Sequence, residues 1–332
     1  MEKLFFHMVS LILITSILFP QGKVKILADN SKLEKVFDGG FSTEGPAEGP
    51  DGFIYFSDQT FTSESGAQAG HIWRFDPRTL KTIIFRSPSG MSNGIKFTPF
   101  GNMITAHGAD FGLRCIIETD WRTQKSRILS GLFNNKPFNS PNDLTIDKKG
   151  RIYFTDPRYV GHEPVDQPVM GVYRVDPDGK VELIISDVSM PNGIAVSPDE
   201  TTIYVGCFDE GTEEDSTAEK KRMWNMAILA YKLNDKGQAH LKNTFVDYGT
   251  EEGPDGITVD ENGNLYVAVR KENDPGIYVY SPEGKQLDYI ATPEIPTNLA
   301  FSRHSDKNYL YITAGKSLYR IEVLAKGYFV TK

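Results

Sequence analysis

Short apolar segments with alternating polar positions recur along this chain at a regular interval. One copy runs from Asn142 to Asp156: a polar residue, a short apolar strand, a glycine turn, and a second strand that ends in an acid. The pattern occurs six times, and each copy opens with an oxygen-bearing side chain; these opening residues are Glu44, Asn93, Asn142, Asn192, Asp255 and Asn298. The intervals between them are 49, 49, 50, 63 and 43 residues. A period of this length with several short strands per period is typical of a radial repeat.

Each repeat continues with a third alternating strand, usually ended by a Pro/Asp/Gly turn, and a short fourth strand. Residues 172–179 and 181–185 are one example. The pattern therefore predicts an all-β fold, a six-bladed β-propeller with four antiparallel strands, A to D, per blade. Either residues 31–37 or residues 327–331 would complete the sixth blade. A two-sheet sandwich is the alternative, but it would not explain six equivalent polar opening residues.

The first 22 residues differ from the rest of the chain. A single cation near the start is followed by an apolar run over residues 4–19. This run is shorter than the roughly 20 residues that a membrane-spanning helix needs. It predicts a secretory signal peptide over residues 1–22, a single propeller domain over 23–332, and a secreted or periplasmic protein. Since no small-x-small cleavage site is evident, an uncleaved N-terminal anchor stays open.

Composition and charge narrow the possible partners. The 332 residues include 39% apolar residues, enough for a large core, and the net charge is −8. No basic stripe occurs, so we expect neither nucleic acid nor an anionic membrane surface as a partner. The six histidines are not spaced as in zinc sites. We expect Cys115 and Cys207 to be buried thiols, because a disulfide would have to link distant blades. The sequence does not indicate an oligomeric state.

The opening residues should meet at one axis. Strand A is the innermost strand of a propeller blade, so its first residue lies at the mouth of the central channel. Two of the six opening residues are carboxylates and four are amides. Bare oxygens in such a ring would be costly to bury and would repel one another, and a hard divalent cation would relieve both problems. An all-oxygen set favours Ca²⁺ over Mg²⁺, Zn²⁺ or Mn²⁺. We therefore expect a metal in the central channel.

Four motifs give this pattern a family resemblance. They are Glu-Gly-Pro at 44–46, Pro-Asn-Asp at 141–143, Pro-Asn-Gly at 191–193 and Pro-Asp-Gly at 254–256. In this order and spacing they resemble the SMP-30/gluconolactonase/luciferin-regenerating-enzyme family, over about residues 40 to 320. The resemblance implies a propeller with a catalytic divalent metal, usually Ca²⁺, in its channel. It also implies that Glu44, Asn142, Asn192 and Asp255 are the metal ligands and that Asp255 is the general base.

The other two opening residues have two interpretations each. Asn93 and Asn298 could bind substrate or a metal-bound water. Either could instead cap a turn, which is the more frequent role of asparagine in loops.

Two further side chains are candidates for contact with the substrate. His107 stands 14 residues after Asn93, the same offset as Asp156 from Asn142, which places it near the channel mouth. It could contact substrate or carry a proton, or it could be a structural histidine. Arg158 could steady a polar substrate, or it could form a surface ion pair. The loops between strands B and C emerge at the mouth, and the insertion in blade four, at 208–225, accounts for the 63-residue interval.

The functional hypothesis is a Ca²⁺-dependent hydrolase that opens a lactone ring. The metal would polarise the carbonyl group, and a water activated by Asp255 would attack it. No Gly-x-Ser-x-Gly motif suggests a serine nucleophile. Sugar lactones such as gluconolactone are the substrates that the family resemblance implies. The alternatives are an organophosphate or aryl esterase at the same ion, and an extracytoplasmic propeller that binds its partner without catalysis.

Overall fold

The computed structural model describes residues 25–66, 69–209 and 226–330. The predicted signal peptide and residues 210–225 of the blade-four insertion lie outside the described residues. The described chain forms six antiparallel sheets of four strands each, which confirms the predicted six-bladed β-propeller. Within these residues, no helix has the length and apolar character needed to cross a membrane.

The first strand of the chain, β1 (Glu34–Asp38), belongs to the last blade. Blade one consists of β2 (Thr43–Glu48), β3 (Ile54–Asp58), β4 (His71–Asp76) and β5 (Lys81–Arg86), with a single-turn helix, α1 (Thr62–Ser65), between β3 and β4. Blade two consists of β6 (Ser92–Phe97), β7 (Met103–His107), β8 (Cys115–Thr119) and β9 (Ser126–Ser130). A short hairpin, β10 (Leu132–Phe133) and β11 (Lys136–Pro137), leads to blade three.

Blade three consists of β12 (Leu144–Ile146), β13 (Ile152–Thr155), β14 (Val172–Val175) and β15 (Val181–Ile185). Blade four consists of β16 (Pro191–Val196), β17 (Thr202–Cys207), β18 (Met226–Leu233) and β19 (Ala239–Gly249). Blade five consists of β20 (Pro254–Val259), β21 (Leu265–Val269), β22 (Gly276–Tyr280) and β23 (Gln286–Ala291). Blade six consists of β24 (Pro296–Phe301), β25 (Tyr309–Ala314), β26 (Ser317–Glu322) and β1.

The N-terminal strand β1 completes blade six and thereby closes the ring of blades. β1 pairs antiparallel with β26, from Glu34 opposite Arg320 to Asp38 opposite Ser317. This confirms that residues 31–37 provide the closing strand. The other option was residues 327–331; of these, Gly327 forms a bridge with Asp260 of blade five, and the Tyr328 amide donates to the Val259 carbonyl.

The hydrophobic core lies between the blades. Each blade buries apolar side chains on both faces against its two neighbours, which is why the inner strands read as nearly continuous apolar runs. The layer between blades six and one, for example, joins Phe56 and Phe75 to Tyr311 and Leu318. Cys115 and Cys207 are buried free thiols in two different blades. This packing sets the angle between neighbouring blades and holds the six inner strands around one axis.

Replacing Phe37 of β1 would test how much the closing strand contributes to stability. Its half-buried ring packs against Phe56 and Trp73 of blade one, with centroids 5.3 and 5.0 Å away. We expect Phe37→Ala to lower the free energy of unfolding by about 1–3 kcal/mol, since it removes aromatic contacts across the closure. Urea denaturation would measure this. Phe41→Ala is the matched control, because that ring is 55% exposed, and equal losses in the two variants would contradict the role of β1.

Candidate metal centre

The six opening residues lie at the mouth end of strand A in their blades. Five of them lie in strands β2, β6, β16, β20 and β24, and Asn142 lies two residues before the first residue of β12. Five are buried, and Asn142 is half-buried. The radial repeat therefore brings side chains that are far apart in the sequence to one end of the channel.

Hydrogen bonds connect the inner strands of neighbouring blades close to the opening residues. The amide of Gly94 donates to the carbonyl of Asn142 at 2.8 Å. The hydroxyl of Thr155 donates to the carbonyl of Asn192, and that of Thr297 to the carbonyl of Thr43, both at 2.7 Å. These bonds join blade two to three, three to four, and six to one.

At three further junctions between blades, the close approach depends on the glycine immediately after the opening residue. A β-carbon on Gly45 would lie 2.1 Å from the carbonyl oxygen of Asn93, and one on Gly193 would lie 2.1 Å from that of Asp255. A β-carbon on Gly256 would lie 2.3 Å from the side chain of Asn298. The glycines of the sequence motifs thus allow the inner strands to approach closely enough to bring the opening residues together.

A third carboxylate joins Glu44 and Asp255 in this ring. Asp143 is fully buried, and the amide nitrogen of Asn298 donates to both Glu44 (3.2 Å) and Asp143 (3.4 Å). Sequence analysis did not single out Asp143. A signal was present, because Asp143 occupies the position after the opening residue, where blades one, two, four and five have glycine. The absent side chain of Gly94 makes room for it, since a β-carbon there would lie 2.6 Å from Asp143 Oδ1.

Burial makes these three carboxylates costly to ionise. Burial, with repulsion from Asp255 and Asp143, holds the pKa of Glu44 well above its usual range. Burial also raises the pKa of Asp143. It raises the pKa of Asp255 to about 6, although a hydrogen bond from Arg270 Nη1 to Asp255 Oδ2 at 3.1 Å opposes the shift. A positive charge at the centre of the ring would favour the ionised form of all three.

Several oxygens of the ring are available to such a charge. Asn93 Oδ1, Asn142 Oδ1 and Asp255 Oδ1 are buried and have no hydrogen-bond partner among the described residues. Unsatisfied buried oxygens are the acceptors that a hard cation coordinates. Across residues 25–66, 69–209 and 226–330, no three His, Cys, Asp or Glu side chains cluster as a metal site by themselves. Amide oxygens would therefore have to complete any coordination sphere, and the opening residues supply them.

Side chains at the mouth end of strand B form hydrogen bonds with the loops that precede the opening residues. Asp58 accepts hydrogen bonds from the amides of Phe41 and Ser42, at 2.8 and 2.9 Å. In the same way, Asp156 accepts from the amides of Asn139 and Ser140, at 2.8 and 2.7 Å. In blade four, Cys207 donates to the Ser189 carbonyl.

His107 occupies the same position in blade two. Its Nδ1 lies 3.3 Å from the carbonyl of Gly90, three residues before Asn93, and its Nε2 lies 2.6 Å from the hydroxyl of Thr105. The ring is completely buried, and burial lowers the pKa of His107 to about 4. The histidine predicted to contact substrate is thus neutral at neutral pH and bonded inside blade two.

Arg158 is engaged in the blade-three loop. Its guanidinium donates to the backbone carbonyls of Asn139 (2.8 Å), Glu163 (2.5 Å) and Pro164 (3.1 Å). Its side chain is 8% exposed. These bonds hold the loop at the mouth, and they occupy the donors that sequence analysis expected a polar substrate to use.

The sequence places the chain among known proteins. Residues 100–316 match the SMP-30/Gluconolactonase/LRE-like region. Over 312 residues the chain is 31% identical to a gluconolactonase of Zymomonas mobilis, covering 86% of this chain and 79% of that protein. The chain belongs to the SMP-30/gluconolactonase/LRE-like family.

Other members of the SMP-30/gluconolactonase/LRE-like family are also similar to this chain. The lactonase drp35 of Staphylococcus epidermidis is 31% identical over 266 residues, covering 78% of this chain and 72% of that protein. A solved gluconolactonase from Xanthomonas campestris superposes with a TM-score of 0.74 at 25% identity, covering 89% of this chain and 90% of that one. The family resemblance expected from the four motifs is therefore confirmed.

The buried histidine generates a pH-dependent prediction. The native state leaves His107 unprotonated down to a pKa of about 4, whereas an unfolded histidine takes up a proton near pH 6.5. The unfolded state therefore binds more protons between these values, so the stability due to neutral His107 is lost as the pH falls from 6.5 to 4. As the pH falls through this range, the free energy of unfolding should therefore decrease more steeply for the wild type than for His107→Gln. The difference between the two slopes should be about 1 kcal/mol per pH unit.

Urea denaturation between pH 4 and pH 7.5 would measure the two slopes. His240→Gln, which removes an exposed histidine from strand β19, should keep the slope of the wild type. Parallel curves for the wild type and His107→Gln would show that His107 is not buried as a neutral ring.

Proposed function

We propose that this protein is a hydrolase that opens lactone rings, with sugar lactones such as gluconolactone as its substrates. The observation that carries the proposal is the ring of opening residues, where three buried carboxylates and three unpartnered oxygens meet at the channel mouth. The relatives named gluconolactonase and lactonase support the same chemistry. Their similarity extends over most of the chain, and the family match over residues 100–316 includes the motifs at 141–143, 191–193 and 254–256.

We further propose that the ring holds one divalent cation, Ca²⁺, through Glu44, Asn142, Asn192 and Asp255. The donor set consists of oxygens only and includes negative charge, which is the preference of Ca²⁺. Asn142 and Asp255 each have a buried oxygen without a partner in the described chain. When bound, the cation would polarise the lactone carbonyl group and offset the charge of the carboxylates.

Asp255 is the proposed general base. Burial raises its pKa to about 6, so the carboxylate is ionised at neutral pH and can accept a proton from water. The water oxygen attacks the carbonyl carbon while Asp255 takes one of its protons. The bond between the carbonyl carbon and the ring oxygen then breaks, and a proton is returned to that oxygen. The product is the open-chain hydroxy acid.

The remaining residues of the ring have supporting roles in this proposal. Asn298 bridges Glu44 and Asp143 and so separates two like charges. Asn93, with its unpartnered oxygen, is available to a water or a substrate hydroxyl. We also propose that the protein acts outside the cytoplasm, on the basis of the apolar run at residues 4–19.

The proposal predicts that hydrolysis depends on both the cation and Asp255. We expect chelation with EDTA to reduce the rate of gluconolactone hydrolysis by about 100-fold or more, and Ca²⁺ to restore it. Asp255→Asn should lose at least as much activity without recovery, because the amide cannot accept the proton. A pH-stat assay would measure acid release, and Asp178→Asn, in the exposed β14–β15 turn, is the control.

Other outcomes would decide against the proposal. Full activity after chelation, with elemental analysis showing no bound metal, would remove the cation from the mechanism. Hydrolysis of phosphotriesters or aryl esters without lactone hydrolysis would indicate the esterase alternative. An absence of hydrolysis of all three substrate classes would favour a propeller that only binds.

A further inference from the structure

Blades five and six differ from blades one to four at the mouth end of strand B, where Val269 and Ala314 stand opposite Pro254 and Pro296. In blades one to four, the residue at this position uses its side chain to bond the loop before the opening residue; these residues are Asp58, His107, Asp156 and Cys207. In blade five the position is occupied by Val269, which pairs with Pro254 and has no polar side-chain atom. The Arg270 amide donates to the Gly253 carbonyl of the loop there, at 3.1 Å.

The side chain of Arg270 contacts the opening residue itself. Its Nη1 donates to Asp255 Oδ2 at 3.1 Å, and its side chain is two-thirds buried, at 33% exposure. Bonds from charged donors to buried carboxylates are among the stronger hydrogen bonds in proteins. Blade five has therefore replaced a bond to the loop with a bond to the side chain at the axis.

The guanidinium of Arg270 also contacts an aromatic ring. The guanidinium carbon lies 5.2 Å from the ring centroid of Phe208, which is buried at the end of strand B in blade four. Tyr159 packs edge-on against Phe208 at 6.2 Å and donates its hydroxyl to the Met190 carbonyl at 2.7 Å. This stack restricts the orientations available to Arg270 and so defines the direction of its hydrogen bond.

The two oxygens of Asp255 consequently have different environments. Oδ2 accepts from Arg270, whereas Oδ1 is buried without a partner in the described chain. We infer that Arg270 is a positioning residue that orients Asp255, so that Oδ1 is the oxygen presented to the cation and the attacking water. This inference rests on the proposed function, since it assigns a role to Asp255 that exists only if the ring binds a cation.

Positioning and simple electrostatics predict opposite effects on cation binding. A nearby positive charge repels a cation, so removing a guanidinium that acted by charge alone would strengthen cation binding. Removing a group that orients a ligand weakens it, and the loss of such outer-shell partners typically reduces metal affinity or activity about 10–100-fold. The sign of the change therefore distinguishes the two roles.

The experiment compares the wild type with Arg270→Met and Arg270→Lys. Calcium affinity is measured by isothermal titration calorimetry, and gluconolactone hydrolysis gives kcat and KM. We expect Arg270→Met to bind Ca²⁺ about 10-fold or more weakly, with the loss in catalysis mainly in kcat. Arg270→Lys keeps one charged donor and should recover part of the affinity. Arg127→Met is the control, because Arg127 pairs with Glu118 on the outer strands of blade two and is 73% exposed.

A double-mutant cycle with Asp255→Asn tests whether Arg270 acts through Asp255. The effect of Arg270→Met on Ca²⁺ affinity should then disappear, to within about 2-fold, in the Asp255→Asn background. An undiminished effect in that background would overturn the inference.

The outcomes separate this inference from the proposed function. If the wild type binds no Ca²⁺, the proposed function fails. If the wild type binds Ca²⁺ and Arg270→Met binds it equally or more tightly, the proposed function stands and the positioning role is wrong. Circular dichroism checks folding; should Arg270→Met be unfolded, Arg270→Gln is measured in its place under the same criteria.

Discussion

Three carboxylates buried at the mouth of the channel are the constraint on which this structure depends. Glu44, Asp143 and Asp255 come from three different blades, and burial raises the pKa of each. A protein does not bury three such groups together without compensation, because each ionised carboxylate loses its hydration. Asn298 bridges two of them and Arg270 contacts the third. A divalent cation among the unpartnered oxygens would supply the remaining compensation.

The propeller makes this arrangement possible because the residues that hold the ring in place are different from the residues that form it. The apolar layers between blades fix the inner strands, and the glycines after the opening residues allow those strands to approach closely. Side chains at the end of strand B, such as Asp58 and Asp156, then hold the loops that precede the opening residues. As a result, the ring rests on strands and fixed loops, which restrict how far its ligands can move.

The sequence was sufficient to predict the blade number and the strand order, because the repeat period and the alternation of apolar residues are local properties. It left two options for the closing strand, which the pairing of β1 with β26 decides. The positions of the opening residues followed from the same period. Asp143 and Arg270 were missed because their importance depends on three-dimensional contacts, of Asp143 with Asn298 in blade six and of Arg270 with Asp255 on the neighbouring strand. His107 was placed at the correct end of its strand, and Arg158 lies in the loop between β13 and β14. The direction of their side chains depends on bonds to loops, such as those to Gly90 and Glu163, that no sequence pattern specifies.

The most direct test of the central claim is a crystal structure of the protein grown with Ca²⁺, with a parallel crystal in Tb³⁺ to locate the ion by anomalous scattering. The account predicts a single strong peak on the channel axis. Oxygens of Glu44, Asn142, Asn192 and Asp255 should lie about 2.3–2.6 Å from the Ca²⁺ ion. An axis without a peak at saturating cation, or an ion bound away from these four residues, would contradict it.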